Sequence, residues 1–258
     1  MRASHFAMPA AEQRKLDFII AGAQKCGTTA LHYFLQKHPQ ITLGDQQETH
    51  FFDDDAHFAS EPVDYDALHR HFPKLSRVKV AGECTPHYLY YRPAMQRICN
   101  YNPAIKLLIL LRNPIERAFA HWNMQRFKGR EPLDFLDAVK IENKRVTRDS
   151  PLQTRRFSYV DRGFYARQLE RVWRFFPREQ VKVIKTEEFR ARHRETLRGV
   201  FQFLGVKPLR LIRNADRNVV PYEREMRPEE REYLRSTFAN EIATLERLLG
   251  WDCSDWKS

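Results

Sequence analysis

The residues best suited to chemistry lie in a glycine-framed loop near the start of the chain. An apolar run precedes the loop, and Gly22 and Gly27 enclose four residues that include Lys25. A glycine-framed turn between a strand and a helix exposes backbone amides that attract anions, and Lys25, Thr28 and Thr29 add one charge and two hydroxyls. The pattern therefore predicts a phosphate-binding loop. It differs from a Walker A sequence because Thr28 rather than lysine follows Gly27.

A second candidate for anion binding follows the apolar run 105–111. A continuous apolar run is typical of a strand that is buried on both faces of a parallel sheet. Asn113 is predicted to cap the next helix, with Pro114 at its first position and Glu116 at the spacing of a capping box. Arg112 would then stand at the carboxyl end of a strand, which is the edge where open α/β sheets bind ligands.

These motifs resemble those of the sulfotransferases that use 3′-phosphoadenosine 5′-phosphosulfate (PAPS). The strand and GxxKxGTT loop are similar to the family's 5′-phosphosulfate loop, and Arg112, Pro114 and Arg117 match its 3′-phosphate segment. Ala120 occupies the position of that segment's serine, so one hydroxyl contact is missing. The sequence ETHFF at 48–52 is similar to the acidic segment of the heparan sulfate enzymes.

The resemblance implies the residues that bind the donor. They are Gln24, Lys25, Cys26, Gly27, Thr28, Thr29, Arg112, Ala120, Arg217 and Arg224. The last two belong to the segment 213–224, where the family places a loop over the 3′-phosphate and the adenine. No metal is expected, because no Walker B-like acidic residue follows the loop and no metal-ligand spacing occurs.

The resemblance also implies the catalytic groups. Glu48 is the predicted general base, because a carboxylate within hydrogen-bond reach of an acceptor hydroxyl can take its proton. His50 is the rival base, and alternation along an extended segment would place it beside Glu48. Lys25 would neutralise charge on the departing adenosine 3′,5′-bisphosphate (PAP). Cys84 stands where the family often has a lysine.

The elements that must position these residues alternate between strand and helix. The patterns predict strands at 17–21, 79–82, 106–111 and 181–184, and helices at 28–37, 114–126, 164–176 and 228–249. Such alternation indicates an α/β fold, with a central parallel sheet flanked by helices. The sulfotransferases have a P-loop-like fold of this kind. We expect a single domain at 15–258 after a flexible N-terminal arm at 1–14.

Composition narrows the classes of function. The 258 residues contain 44 Lys plus Arg against 33 Asp plus Glu, a formal charge of +11. This excess suits nucleic acid, an anionic surface or a polyanionic small ligand, but the chain has no recognisable nucleic-acid-binding module. Without an apolar stretch of about 20 residues or a signal segment, a cytoplasmic protein with no membrane span and reduced cysteines is expected.

The leading hypothesis is a cytoplasmic O-sulfotransferase that transfers the sulfuryl group of PAPS to a hydroxyl of a small specialised metabolite. Asp53, Asp54 and Asp55 would favour a cationic acceptor, or they form a surface acidic turn. The alternatives are a glycan sulfotransferase, a nucleotide kinase and a basic nucleic-acid-binding protein. The sequence leaves the acceptor and the oligomeric state open.

Overall fold

Five parallel strands form the centre of the structure, a computed structural model that describes residues 14–73, 75, 78–146, 155–209 and 221–257. The strands are β1 (Phe18–Gly22), β2 (Ile41–Leu43), β3 (Val80–Cys84), β4 (Lys106–Leu111) and β5 (Val181–Lys185). They lie in the order β2-β3-β1-β4-β5. This arrangement confirms the predicted parallel α/β sheet.

Helices flank this sheet. They are α1 (Thr28–Gln36), α2 (Asp66–His69), α3 (Ala94–Tyr101), α4 (Pro114–Phe127), α5 (Phe135–Lys140), α6 (Glu142–Arg145), α7 (Tyr165–Phe175), α8 (Thr186–Ala191), α9 (His193–Leu204) and α10 (Pro228–Leu249). In α10, the buried residues Leu234, Phe238, Ile242 and Leu245 follow the helical repeat. They form a stripe that faces the core.

The order of the strands explains where a ligand can bind. β1 and β4 are neighbours, with Phe18 paired to Lys106 and Ile19 to Leu107. The chain leaves β1 toward β2 on one side of the sheet and leaves β4 toward β5 on the other. Their carboxyl ends therefore border a topological switch point, where open α/β sheets form a crevice. The glycine-framed loop and Arg112 follow these two strands.

The start of α4 differs from the prediction in one contact. Asn113 caps the helix as expected, because its side chain accepts a hydrogen bond from the amide of Ile115 at 3.0 Å. The amide of Asn113, however, donates to Glu187 at 3.1 Å rather than to Glu116. Glu116 instead pairs with Arg231 at 2.7 Å. The capping-box prediction is therefore wrong, since a residue from another helix supplies the acceptor.

The start of the described chain is anchored. Arg14, at the end of the predicted arm, donates to Asp17 at 3.0 Å and to the carbonyl of Lys79 at 2.9 Å. The rest of the predicted arm, 1–13, lies outside the described residues. Within the described ranges, no helix is both long enough and apolar enough to cross a bilayer.

Candidate functional site

The loop after β1 has a backbone shape that depends on glycine. Gly27 caps α1 with φ of 88°, and Lys25 also has a positive φ of 68°. Only glycine adopts this region without a steric cost, so Gly27 is required there, while Lys25 must be held by its surroundings. Two contacts hold the loop. The amide of Ala23 donates to Leu110 at 2.8 Å, and the hydroxyl of Thr186 donates to the Cys26 carbonyl at 2.7 Å.

Gly22 serves a different purpose, which is close approach. A Cβ at this position would lie 2.5 Å from Cβ of Leu89. The amide of Leu89 donates to the carbonyl of Ala21 at 2.8 Å, so the turn after β3 packs directly on the end of β1. The glycine-framed loop and the turn after β3 therefore share one edge of the sheet.

Positive charges gather around the loop. Lys25 is half-buried, and its burial together with the charges of Arg112 and Lys128 lowers the pKa of its ammonium group. No carboxylate of the described residues pairs with Lys25. An ammonium group that lacks a carboxylate partner and lies near further cations is suited to a multiply charged anion.

Arg112 and Arg117 extend this cluster along α4. The Arg112 guanidinium is 13% exposed and lies 3.8 Å from Glu116, and its carbonyl accepts a hydrogen bond from Tyr165 at 3.1 Å. Arg117 is fully buried and donates one Nη to the carbonyl of Tyr159. Its Nε and its other Nη have no partner among the described residues.

A flat aromatic face lies beside Arg112. Tyr222 hydrogen-bonds with Arg112, and its ring stacks on Phe119 with centroids 5.6 Å apart and planes at 6°. Asn123 holds this segment by donating to the Pro221 carbonyl and accepting from the Glu223 amide, each at 3.0 Å. The described end of the predicted 213–224 loop thus reaches the edge that carries Arg112.

The remaining predicted donor residues occupy varied positions. Gln24 has a buried Oε1 without a partner in the described chain. Cys26 turns inward, with Sγ 3.6 Å from the Tyr165 hydroxyl. Thr28 is buried in the first turn of α1, and the Thr29 hydroxyl accepts from Gln47 at 3.2 Å. Ala120 is buried in α4.

The segment 213–224 contains two further arginines that were predicted to bind the donor. Arg217 lies outside the described residues. Arg224 pairs with Asp134 at 2.5 Å and with Glu230 at 2.6 Å. Two carboxylates therefore already engage the guanidinium of Arg224, and the nucleotide site that we propose does not include this residue.

Glu48 and His50 lie in contact within a chain of alternating charges. His50 Nε2 is 3.2 Å from Glu48, and its Nδ1 is 3.0 Å from Asp53. Asp53 also pairs with Arg155 at 3.1 Å. Phe51 and Phe52 are buried and anchor the segment in the core.

These contacts decide the charge of His50. Burial alone would lower its pKa, but the hydrogen bonds to Asp53 and Glu48 raise the pKa of His50 to about 9. The imidazole is therefore protonated at neutral pH, and both ring nitrogens donate hydrogen bonds. A protonated imidazole has no lone pair to accept a further proton, so the geometry favours Glu48 as the base.

Of the three aspartates after this segment, Asp53 is buried, whereas Asp54 and Asp55 are exposed and lie at a surface turn, as one of the two interpretations predicted. Asp53 is fully buried, Asp54 caps a short turn by accepting from the Ala56 amide at 3.0 Å, and Asp55 pairs with Arg97 at 2.5 Å. Each of them therefore already has a partner within the protein. Sequence reasoning missed the role of Asp53, because a run of three acidic residues gives no sign that one is buried.

The buried carboxyl group of Glu83 supports the segment 48–52. Glu83 in β3 accepts hydrogen bonds from the hydroxyls of Thr49 at 2.5 Å, Thr85 at 2.6 Å and Tyr88 at 2.7 Å. Burial raises the pKa of Glu83. The adjacent Cys84 is buried, and its burial, with the charges of Glu48 and Glu83, raises the pKa of its thiol well above the usual value. A neutral thiol therefore stands close to Glu48.

The chain is similar to known sulfotransferases. The sulfotransferase domain family matches residues 15–220. A solved sulfotransferase from Alicyclobacillus acidocaldarius is 33% identical, with a TM-score of 0.79, and the match covers 95% of this chain and 99% of that one. A mouse sulfotransferase complexed with PAP is 14% identical, with a TM-score of 0.53, over 91% of this chain and 86% of that one, which concerns the fold alone.

Several relatives among characterised proteins are heparan sulfate sulfotransferases. Heparan sulfate glucosamine 3-O-sulfotransferase 3B1 of Mus musculus is 30% identical over 206 residues, which make up 79% of this chain and 50% of that protein. The chain thus spans about half the length of the heparan sulfate relatives that it matches. The family match covers the sheet, the glycine-framed loop, Arg112 and the Glu48 segment together, and on this basis the chain belongs to the sulfotransferase family.

Proposed function

We propose that this chain is a PAPS-dependent O-sulfotransferase that acts on a small hydroxylated acceptor. The observation that carries the proposal is the cation cluster at the switch point, where Lys25, Arg112 and Lys128 surround a glycine-framed loop without a carboxylate among the described residues to balance Lys25. PAPS carries a phosphosulfate and a 3′-phosphate, so its charges complement such a cluster.

The donor fits the residues that line this edge of the sheet. The first amides of α1, with Thr28 and Thr29, are suited to the 5′-phosphate, because the first turn of a helix leaves its amides without intrahelical partners. Arg112 is suited to the 3′-phosphate, and the Tyr222 face beside it to a flat adenine ring. When bound, PAPS supplies the sulfuryl group and PAP is the leaving group. Lys25 would hold a positive charge close to the group that leaves.

The protein's own acid–base chemistry centres on Glu48. Its carboxylate would accept the proton of the acceptor hydroxyl as that oxygen attacks sulfur. His50, which donates to Glu48 and to Asp53, would hold the carboxylate in place. Asp53 and Arg155 complete the chain of alternating charges, so that the imidazolium stays fixed. These are positioning roles, whereas Glu48 moves the proton.

A glycan sulfotransferase is the second candidate. The similarity to a heparan sulfate 3-O-sulfotransferase and the match at 48–52 support it. Cys84 argues against an acceptor site like that of those enzymes. Its buried neutral thiol stands where the family often has the ammonium group of a lysine. We favour the small acceptor and a cytoplasmic location, to which the four free thiols are suited.

The test is incubation with PAPS in the presence of a metal chelator and a panel of small alcohols, amino alcohols and oligosaccharides. We expect a sulfonated small alcohol, detected by its mass, and an equivalent amount of PAP. Sulfonation of oligosaccharides alone would establish the glycan candidate. PAPS turnover with no acceptor in the panel, or phosphorylation from ATP and magnesium, would contradict the proposal.

A further inference from the structure

A second cationic site is lined by residues outside the glycine-framed loop. A cavity of about 780 Å³ opens between α7 and the turn that precedes α3. Four guanidinium groups line this cavity, together with Tyr90 and Tyr91; they belong to Arg92, Arg167, Arg171 and Arg174. We refer to this cavity, defined by these four arginines, as the arginine cleft.

The charges of the arginine cleft are not balanced. Its lining includes two carboxylates, Asp161 and Glu170. Asp161 pairs with Arg167 and also accepts a hydrogen bond from the Tyr90 hydroxyl at 2.6 Å. For the other three arginines, no ion pair with a carboxylate is formed within the described part of the chain. Four guanidinium groups thus face two carboxylates, one of which is already shared.

Arg171 stands at the centre of this group. Its Nη2 donates to the carbonyls of Leu89 at 2.5 Å and Tyr90 at 3.2 Å, which fixes the side chain in place. Its Nε is buried and has no partner among the described residues. Burial, followed by the charges of Arg92 and Arg167, lowers the pKa of Arg171 to about 10. The guanidinium of Arg171 is therefore held close to other cations, and a bound anion would offset the repulsion between their charges.

We propose that the arginine cleft binds an oxyanion, a sulfate or phosphate monoester, at a site separate from the donor site. Guanidinium groups present planar pairs of N–H donors that match the oxygens of such groups. None of the residues that line the cleft belongs to the glycine-framed loop or to the start of α4. The donor and this oxyanion can therefore bind at the same time.

A series of side-chain contacts links the arginine cleft to the Glu48 segment. The guanidinium of Arg162 lies over the ring of Tyr90 at 4.4 Å, and its Nη2 is 2.8 Å from His87 Nδ1. His87 in turn lies 3.6 Å from Asp53. This arrangement is compatible with two sources for the oxyanion, which are an ester group on the acceptor itself and a separate anionic ligand.

The test is calorimetric titration of inorganic sulfate into the protein at constant ionic strength, with and without saturating PAP. We expect sulfate to bind the PAP-loaded protein, and Arg171→Gln or Arg174→Gln to weaken this binding at least about tenfold, the scale of one charged hydrogen bond. Arg174 is exposed, so Arg174→Gln keeps the test valid if Arg171→Gln fails to fold. The matched control is Arg198→Gln, an exposed arginine of α9.

Two results would overturn the proposal. One is the absence of sulfate binding once PAP is bound, and the other is equal weakening by Arg198→Gln, which would indicate a general charge effect. PAP binding itself reports on the proposed function independently. Sulfonation rates with glucose and with glucose 6-phosphate as acceptors distinguish the two sources. If the protein prefers glucose 6-phosphate and Arg174→Gln removes this preference, the oxyanion is an ester group on the acceptor. If added sulfate changes the rate of glucose sulfonation, the oxyanion is a separate ligand.

Discussion

The protonation state of His50 determines whether it can act as a base. His50 lies between two carboxylates, and these hydrogen bonds raise its pKa to about 9. An imidazolium can orient Glu48 but cannot accept a proton from it or from an acceptor. The same histidine would be a credible base if Asp53 were exposed to solvent, because its ordinary pKa lies near neutrality.

Glu48→Gln and His50→Asn separate the two roles. Glu48→Gln keeps the shape of the side chain but removes the carboxylate, so we expect turnover to fall at least ~10²-fold, the lower end of what a positioned base contributes. PAP affinity should stay near that of the native protein. His50→Asn should lose less turnover, because Glu48 remains. Initial rates and PAP titrations measure both quantities, and an inactive His50→Asn beside an active Glu48→Gln would reverse the assignment.

The raised pKa of His50 has a consequence for stability. The folded-state pKa of about 9 exceeds the ordinary value of 6.5, so the folded state favours the protonated ring. This stabilisation is fully present below pH 6.5 and is lost as pH rises through 9. One pKa unit corresponds to about 1.4 kcal/mol, and solvent exposure of part of the ring reduces the effect, so we expect a loss of about 1–2 kcal/mol.

Urea unfolding of the native protein and His50→Asn at several pH values measures this loss. The difference between their free energies of unfolding should shrink between pH 6.5 and pH 9. An NMR titration of the His50 ring should show a midpoint near pH 9. A midpoint near 6.5, with a constant difference in stability, would show that the ring is not held between the two carboxylates.

At the scale of elements, β3 supports the Glu48 segment. Glu83 receives three hydroxyl donors on one carboxyl oxygen, and one of them comes from Thr49, the residue between Glu48 and His50. Because β3 pairs with β1 in the sheet, this contact fixes the acidic segment relative to the glycine-framed loop. Glu83 is therefore a positioning residue.

Glu83→Ala and Glu83→Gln test this support. The alanine variant leaves three hydroxyls without their acceptor, those of the buried Thr85 and Tyr88 and of the half-buried Thr49, so we expect a loss of about 2–4 kcal/mol in the free energy of unfolding. The glutamine variant keeps an acceptor oxygen and should lose less than half as much. Among folded molecules, Glu83→Ala should lower turnover more than PAP affinity. Equal losses of turnover and PAP affinity would mean that Glu83 supports the sheet edge in general.

At the scale of the whole molecule, the donor should stabilise the fold. In the proposed function, PAP would bind where loops from β1 and β4 meet residues of α4 and the Tyr222 segment, so unfolding would release it. At a concentration 100 times its dissociation constant, a ligand adds about 2.7 kcal/mol, which for a chain of this size raises the Tm by roughly 5–10 °C. The shift should not require magnesium.

Lys25→Ala and Arg112→Ala should reduce this shift, and Arg198→Gln should leave it unchanged. For Arg112→Ala, the loss should largely vanish with adenosine 5′-phosphosulfate, which lacks the 3′-phosphate. Thermal unfolding followed by circular dichroism measures the Tm shift of each variant with PAP, and that of Arg112→Ala also with adenosine 5′-phosphosulfate. A larger shift with ATP and magnesium than with PAP would favour the nucleotide kinase alternative.

Local patterns determined the main elements and the position of the glycine-framed loop. The apolar run at 106–111 and the repeat at 228–249 predicted β4 and α10 with the bounds that the structure has. Such patterns are read from neighbouring residues, since burial imposes a period of its own on each element. β2, with three residues, was too short to predict in this way. The glycine-framed loop was recognisable because its residues are consecutive.

The pairing of charged side chains was decided by the tertiary structure. Asp53 meets Arg155, Glu83 meets Thr49, and Arg224 meets Asp134 across separations of 102, 34 and 90 positions. The four arginines of the arginine cleft likewise come together from a turn and a helix. Composition reports how many charges a chain has, but only packing determines which of them are buried and paired. The charge of His50 depends on that packing, because burial and opposite charges shift a pKa in opposite directions and only the folded distances set their balance.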